Sequence, residues 1–168
     1  MTRSPRQPVA AGAAFLASIA SALAQTPTIE RADITQYGVY LGRVTETRKS
    51  SGTPTGTIDG VVWQFISETT VVPASRGVRF GFEYRLVGAP PGASVPIHSV
   101  TLFPAEGLRN ARTGRVYDHS EYTQEAKFGQ PILRGYSLDE EWEVVPGLWV
   151  LQIWNGEQKL AEMTFTLE

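Results

Sequence analysis

The chain alternates apolar and polar residues over most of its length, and this pattern predicts β-strands. The clearest run covers residues 78–86, where large apolar residues alternate with charged residues and glycine. The apolar members of this run are Val78, Phe80, Phe82, Tyr84 and Leu86. Because successive side chains of a strand point to opposite faces, the run predicts a strand with one buried face.

Two further strands are predicted before this one. Tyr37, Val39 and Leu41 alternate with polar residues and glycines, so they should form an inner face. The intervening glycines indicate a bulge or a close backbone approach. Residues 61–66 are apolar at both parities, which predicts a central strand that is covered on both sides.

Glycine, proline, serine and threonine mark the connections between strands. Residues 50–60 predict a mobile loop that joins the first two strands, and residues 90–92 predict another turn. A strand over residues 97–103 should end at Pro104, which has no amide hydrogen to donate to a sheet. Near the C-terminus, Asn155-Gly156 separates two apolar runs and predicts a hairpin with a type I′ turn.

Residues 117–128 fit two interpretations. Asp118, with Glu121 three residues later, resembles the capping box of a helix. A strand would instead place five residues on one face, namely Val116, Ser120, Tyr122, Ala126 and Phe128. We favour the strand because every neighbouring element is predicted to be a strand. The chain then has seven to nine strands and no crossover helices, which predicts an all-β, antiparallel, two-sheet sandwich of the immunoglobulin-like type.

The N-terminal segment has the features of a secretory signal peptide. Residues 9–24 form an uncharged, alanine-rich run that follows Arg3 and Arg6 and ends in Ala22-Leu23-Ala24. The run is shorter than the roughly 20 apolar residues that a membrane span needs. We therefore expect cleavage after Ala24 and a mature sandwich domain of residues 25–168 that has no membrane span.

Composition excludes several classes of site. The chain has no cysteine, so it cannot form a thiolate zinc cluster, a disulfide framework or a thiol nucleophile. Cleavage would leave 13 of the 15 Lys and Arg residues against 17 Asp and Glu residues, and the basic residues are spread out. An acidic chain without clustered basic residues argues against nucleic-acid binding.

Several segments carry a resemblance to a known family. They are ITQYGVY at residues 34–40, VPASRGVRFGFEYRL at residues 72–86, SEY at residues 120–122, and EWEVVPGLWVLQIW with KLAEMTF within residues 141–165. In these segments the chain resembles the bacterial exported family catalogued as domain of unknown function 3859. The resemblance implies a periplasmic or secreted bacterial protein with an immunoglobulin-like fold, and it carries over no catalytic residue.

The C-terminal region holds three tryptophans and the strongest local charge. Trp149 and Trp154 should lie on opposite faces of one strand, so we interpret Trp149 as a core anchor and not as part of a ligand platform. The acidic group comprises Asp139, Glu140, Glu141, Trp142 and Glu143. It lacks the spacing of a calcium loop, so we interpret it as a solvated loop and predict no metal or cofactor.

Catalytic residue types are present, but their spacing is unfavourable. Asp118, His119 and Ser120 are consecutive, and consecutive strand side chains point to opposite faces, so they should not align as a catalytic triad. Glu121 and Glu125 would lie roughly 13 Å apart on an extended strand, which exceeds the separation of a glycosidase pair. His98 is interpreted as a histidine at the core edge or on the surface.

Two hypotheses on function follow. The first is an exported, non-catalytic binding module that recognises an envelope protein or glycan through loops or a strand edge. Its interaction surface would include Asp139, Glu140, Glu141, Trp142 and His119. The alternative is a hydrolase or metal-dependent enzyme that uses His119 with Glu121, or the carboxylates of residues 139–143.

Overall fold

Two β-sheets packed face to face make up most of the fold. The computed structural model describes residues 26–168, so the predicted signal peptide lies outside the described residues. The strands are β1 (Thr28–Lys49), β2 (Thr57–Ser67), β3 (Val71–Val72), β4 (Arg79–Ala89), β5 (Ser94–Leu102), β6 (Leu108–Arg109), β7 (Val116–Tyr117), β8 (His119–Lys127), β9 (Pro131–Ser137), β10 (Gly147–Asn155) and β11 (Gln158–Leu167). A short 3-10 helix covers Glu141–Glu143.

The strand order confirms the predicted two-sheet sandwich. Sheet A has the order β2-β1-β4-β9, and sheet B has the order β3-β11-β10-β5-β8. All pairs in these sheets are antiparallel except the short pair of β3 with β11, which is parallel. Strands β6 and β7 form a separate two-stranded ribbon. Within residues 26–168, no helix is long and apolar enough to cross a membrane.

The core lies between the two sheets, as the alternating pattern predicted. Phe80, Phe82, Tyr84 and Leu86 of β4 are buried against the inner face of sheet B. Trp149 is fully buried, as predicted, and its indole Nε1–H donates a 3.0 Å hydrogen bond to the Val145 carbonyl oxygen. Aromatic rings of Phe80, Phe103 and Tyr136 surround Trp149 at centroid distances of 5.7, 5.0 and 5.0 Å.

The predicted burial of β1 and β2 is partly wrong. Val39 lies on the core side of β1, as predicted, whereas Tyr40 is buried on the opposite face. Leu41 is 59% exposed, because β1 no longer pairs with β4 beyond Tyr40. The register shift between Val39 and Tyr40 places its extra residue, Ile66, in β2, so the parity of β1 is unchanged. Strand β2 is an edge strand and not a central one, with Val62 58% exposed. Apolar residues on both faces of a strand do not show whether a neighbouring strand lies on each side of it. The sequence of β2 therefore did not reveal that it is an edge strand.

The first hairpin extends well beyond sheet A. Strand β1 pairs with β4 only as far as Tyr40, after which it pairs with β2 alone. We call residues 41–64 the hairpin arm and residues 50–56 its tip. The predicted loop over residues 50–60 is therefore shorter than expected, because β2 already begins at Thr57. A second irregularity between Val44 and Glu46 lies within the arm, and bulges of this kind bend and twist a strand pair.

Two further predictions concern later strands. Residues 119–127 form a strand, which confirms the favoured interpretation of residues 117–128, although Val116 lies in β7 and is exposed.

The C-terminal hairpin is also confirmed, but its turn residues are Gly156 and Glu157, because Asn155 pairs with Gln158. Only Gly156 has a positive φ angle, which fits a type II′ turn and not the predicted type I′ turn.

Candidate functional site

A cleft lies between the hairpin arm, β8 and β9. Its volume is about 690 Å³, and the arm contributes one wall through residues such as Thr55, Asp59 and Trp63. Strand β8 is one edge strand of sheet B, and β9 is one edge strand of sheet A. The cleft therefore opens at the side of the sandwich where these two edges lie, and the arm crosses this side.

Backbone carbonyls at the tip hold the arm against the rest of the fold. The Glu121 amide donates a 2.7 Å hydrogen bond to the Gly52 carbonyl oxygen. The Asn110 side-chain amide donates a 2.8 Å hydrogen bond to the Pro54 carbonyl oxygen. Asn110 is buried, and its Oδ1 accepts hydrogen bonds from the amides of Arg112 and Thr113, which fix the turn that presents it.

A buried arginine lies at the inner end of the cleft. Arg134 of β9 is on the inner face of sheet A and is only 1% exposed. Its Nη1 donates to the Gly135 carbonyl oxygen at 2.9 Å, and its Nη2 donates to Thr101 Oγ1. Among residues 26–168, no group accepts a hydrogen bond from Arg134 Nε, and no carboxylate forms an ion pair with this side chain.

Neutral polar side chains surround this guanidinium. Thr101 and Ser120 are buried on the inner face of sheet B and line the cleft. The Tyr122 ring lies 5.5 Å from Arg134 Cζ, a distance at which a cation is attracted to the face of an aromatic ring. Gln124 also lines the cleft, and its Nε2 has no hydrogen-bond partner in the described part of the chain. Unpaired donors thus occur on both sheets at this end.

The other end of the cleft is acidic. Glu143 is 2% exposed, and its carboxylate accepts hydrogen bonds from the Tyr136 hydroxyl at 2.8 Å and from the amides of Asp139 and Glu140 at 3.0 and 2.9 Å. Burial raises the pKa of Glu143 to about 7, although these hydrogen bonds act in the opposite direction. A carboxyl group at this position therefore titrates near neutral pH.

Asp139 also lies at this acidic end of the cleft. Arg79 Nη2 donates a 3.0 Å hydrogen bond to Asp139 Oδ1. Burial raises the pKa of Asp139, and this rise persists against the attraction of Arg79, because the negative charges of Asp59 and Glu140 are close. Asp59 belongs to the arm, so carboxylates from opposite sides of the cleft face one another.

The predicted interaction surface divides between two places. Asp139 and Glu140 line the cleft, Glu141 is exposed, and Trp142 is partly buried against the core. The interpretation of residues 139–143 as a solvated loop is wrong for Glu143, which is buried and whose carboxylate caps the backbone of its own loop. His119 is not among the residues that line this cleft.

His119 lies instead in a smaller groove of about 160 Å³ beside Gly52. Its Nδ1 is 2.6 Å from Asp118 Oδ1, and this hydrogen bond lowers the pKa of Asp118. These two residues do meet, because β8 begins at His119 and Asp118 precedes the strand. Ser120, however, is buried on the opposite face, so the three residues form no triad, as predicted.

The carboxylates of the alternative enzyme hypothesis are also separated. Glu121 Oε2 lies 3.1 Å from His98 Nε2 on the exposed face of sheet B, and His98 is a partly exposed surface residue. Glu121 and His119 border the small groove, whereas Asp139 and Glu143 line the large cleft. Within residues 26–168, no group of three or more His, Asp or Glu side chains is arranged to hold a metal ion.

The sequence interpretation missed the inner end of the cleft. Arg134 occupies an alternation position between Ile132 and Tyr136, both partly buried against the core. A charged residue on the otherwise apolar face of a short strand was the available signal. Thr101 and Ser120 also lie at inward-facing positions of their strands, where apolar residues are more usual.

Comparison with known proteins supports the fold and the family. The chain is similar to an immunoglobulin-like protein from Pseudomonas aeruginosa whose crystal structure was determined at 1.50 Å resolution, with 30% sequence identity and a TM-score of 0.60. The similarity covers 86% of this chain and 98% of that chain. No curated protein matches the chain significantly. The family model Domain of unknown function (DUF3859) matches residues 29–167, and the chain therefore belongs to this family.

Proposed function

We propose that this protein is an exported, non-catalytic binding module of the bacterial envelope, and that the cleft beneath the hairpin arm is its ligand site. The observation that carries the proposal is the buried polar lining of this cleft. Arg134, Thr101 and Ser120 are each at most 5% exposed, although they occupy inward-facing positions of the sandwich. Buried polar groups reduce stability unless they are well paired, so a purely structural interior would favour apolar residues here.

The size and shape of the cleft fit this function. A volume of about 690 Å³ is within the roughly 300–1,000 Å³ of small-molecule pockets. Trp63, Tyr122 and Tyr136 add aromatic surface to its polar lining, and a mixture of aromatic surface and a few polar groups is common in ligand sites. The arm covers the site without belonging to the packed core, so it is suited to admit and enclose a ligand.

Native mass spectrometry tests whether the cleft holds a ligand. The full chain is expressed in a bacterium with its own N-terminal segment, purified without denaturation, and examined for small molecules that co-purify. A Thr55→Trp variant places a large ring at the arm wall of the cleft, whereas Glu125→Trp places the same ring on the exposed face of β8. We expect a bound small molecule in the wild type and in Glu125→Trp, and its loss in Thr55→Trp. Equal occupancy in the two variants would contradict the proposal.

Export is tested on the same preparation. Cell fractionation should recover the protein outside the cytoplasm, with an N-terminus at Gln25 by intact mass. A charge within the apolar run, as in Leu16→Arg, should keep the uncleaved chain in the cytoplasm, because secretory signal peptides need an uninterrupted apolar centre. A wild-type chain that stays full-length in the cytoplasm would exclude the exported part of the proposal.

A further inference from the structure

The proposed ligand site contains a positive charge that the protein leaves unpaired. A guanidinium has five N–H groups in a planar fork. Arg134 donates to Gly135 and Thr101, and its Nε–H has no acceptor in residues 26–168. Removal of a charge from water is costly, and buried arginines usually meet a carboxylate that offsets this cost. Here the other residues at the inner end, Ser120, Tyr122 and Gln124, are all uncharged.

On the basis of the proposed function, we infer that the ligand is a short peptide, whose carboxylate pairs with Arg134 and whose ammonium group lies at the acidic end of the cleft. A carboxylate matches the fork of a guanidinium and accepts charge-assisted hydrogen bonds from it. Gln124 Nε2, which is also an unpaired donor, lies on the same cleft and supplies a neutral hydrogen-bond donor for the same group.

The charges elsewhere in the cleft favour a zwitterion over a polyanion. The lining contains the carboxylates of Glu46, Asp59, Asp139, Glu140 and Glu143, and the guanidinium groups of Arg48, Arg112 and Arg134. Asp139 is paired with Arg79, and burial raises the pKa of Glu143 to about 7, so the remaining lining has three carboxylates and three guanidinium groups. A phosphate or sulfate would bring two negative charges into this mixed lining and would meet repulsion from the carboxylates. A ligand with one carboxylate and one ammonium group avoids this repulsion.

The acidic end also has acceptors to offer. Asp59 accepts a 2.6 Å hydrogen bond from the Thr47 hydroxyl but forms no ion pair within residues 26–168. Glu140 is exposed at the same end, and its charge is close enough to raise the pKa of Asp139. An ammonium group placed here would lower the mutual repulsion of these carboxylates.

Dipeptides with blocked termini test the two contacts separately. The probes are a mixture of free dipeptides, the same mixture as C-terminal amides, the same mixture with N-terminal acetyl groups, and the neutral disaccharide maltose. Binding to the full chain, purified and dialysed to remove bound molecules, is measured by saturation-transfer NMR and by isothermal titration of the strongest binder. We expect the amides to bind at least tenfold more weakly than the free dipeptides, and the acetylated dipeptides to bind several-fold more weakly.

Variants that add a negative charge test whether the ligand carboxylate binds at the inner end of the cleft. Gln124→Glu adds a negative charge inside the cleft, while Thr123→Glu adds the same charge on the exposed face of β8. The first should weaken dipeptide binding at least tenfold, and the second should leave it within twofold. Arg134→Met should abolish binding, but loss of a buried side chain also threatens the fold. Gln124→Glu, on a partly exposed residue, keeps the test decisive when Arg134→Met does not fold.

The outcomes separate this inference from the proposed function. Equal binding of free dipeptides and their amides, or equal effects of Gln124→Glu and Thr123→Glu, would overturn the inference. Failure of all dipeptides to bind would also overturn it, and maltose binding that is blocked by Thr55→Trp would then leave the cleft as the ligand site. If the native chain carries no small molecule in any preparation and no probe binds, the proposed function fails together with the inference.

Discussion

The Tyr136 hydroxyl donates a 2.8 Å hydrogen bond to Glu143 Oε1, and this bond links the end of β9 to the 3-10 helix that follows it. Glu143 Oε2 accepts two backbone amides of the same connection. Burial raises the pKa of the Tyr136 hydroxyl well above its ordinary value, so Tyr136 remains a hydrogen-bond donor at all physiological pH values. The carboxyl group of Glu143 therefore fixes the conformation of the connection that forms the acidic end of the cleft.

Glu143 should make the protein less stable as the pH rises. Its pKa is about 7 in the folded chain against an ordinary value of 4.5, so the folded state binds more protons between these values. The stabilisation is present below pH 4.5 and is lost as the pH rises through 7. Between pH 4.5 and pH 8, this group should lower the unfolding free energy of the wild type by roughly 3 kcal/mol. Glu143→Gln has no such group, so its unfolding free energy should not show this fall. Urea denaturation at several pH values checks this, and parallel profiles would contradict it.

Replacement of the Asn110 side-chain amide nitrogen by oxygen should weaken the attachment of the arm tip to the rest of the fold. Asn110→Asp keeps the oxygen that caps the Arg112 and Thr113 amides but replaces the donor to the Pro54 carbonyl with an acceptor. Because one hydrogen bond contributes about 1 kcal/mol, hydrogen exchange of the Glu121 amide should accelerate at least fivefold. Exchange in β4 should not change. Arg109→Gln, which removes only a hydrogen bond to Gly114, is the matched control, and an equal acceleration there would refute the assignment.

Gly38 should tolerate no side chain. Its φ angle is +139°, and an added Cβ would lie 1.9 Å from the Ser67 carbonyl oxygen. Gly38→Ala should therefore lower the unfolding free energy by about 3 kcal/mol or more. Gly56 has a positive φ but an added Cβ there would meet nothing within 4 Å, so Gly56→Ala should cost only about 1 to 2 kcal/mol. Chemical denaturation of both variants measures the difference, and equal losses would show that backbone conformation alone sets the cost at Gly38.

The two tryptophans of β10 should differ in their contributions to stability. Trp149→Phe removes buried ring area and the hydrogen bond to the Val145 carbonyl oxygen, and should cost about 2 kcal/mol or more. Trp154 lies on the other face and is partly exposed, so Trp154→Phe should cost less than about 1 kcal/mol. Equilibrium unfolding of the two variants provides the comparison. A larger loss for Trp154→Phe would place the core on the wrong face of β10.

The parts of the fold that depend on local alternation were predictable from the sequence. Strand β4, the burial of Trp149 and the strand at residues 119–127 follow from the side-chain period and from neighbouring turns. The glycines indicated the close backbone approach at Gly38, but the exposure of Leu41 was not predictable, because local alternation does not show where β1 parts from β4.

The cleft could not be predicted in the same way, because distant segments build it. Thr101 meets Arg134 from 33 residues away, and Asn110 reaches Pro54 across 56 residues. Asp139 and Glu140 were predicted as interaction residues from their charge, and the structure does bring them to the cleft. His119 was grouped with them only by residue type, and the topology places it in another groove.

The two hydrogen bonds that hold the arm tip do not depend on the side chains of the tip. The acceptors of these two hydrogen bonds are the backbone carbonyl oxygens of Gly52 and Pro54. A carbonyl oxygen is present whatever the side chain, so neighbouring tip positions such as Thr55 are free to change while the tip stays closed. Gly52 is the exception, because an added Cβ would lie 2.3 Å from the Glu121 carbonyl oxygen. Substitution of Thr55 should therefore change the lining of the cleft without loosening the tip, whereas substitution of Gly52 should loosen it.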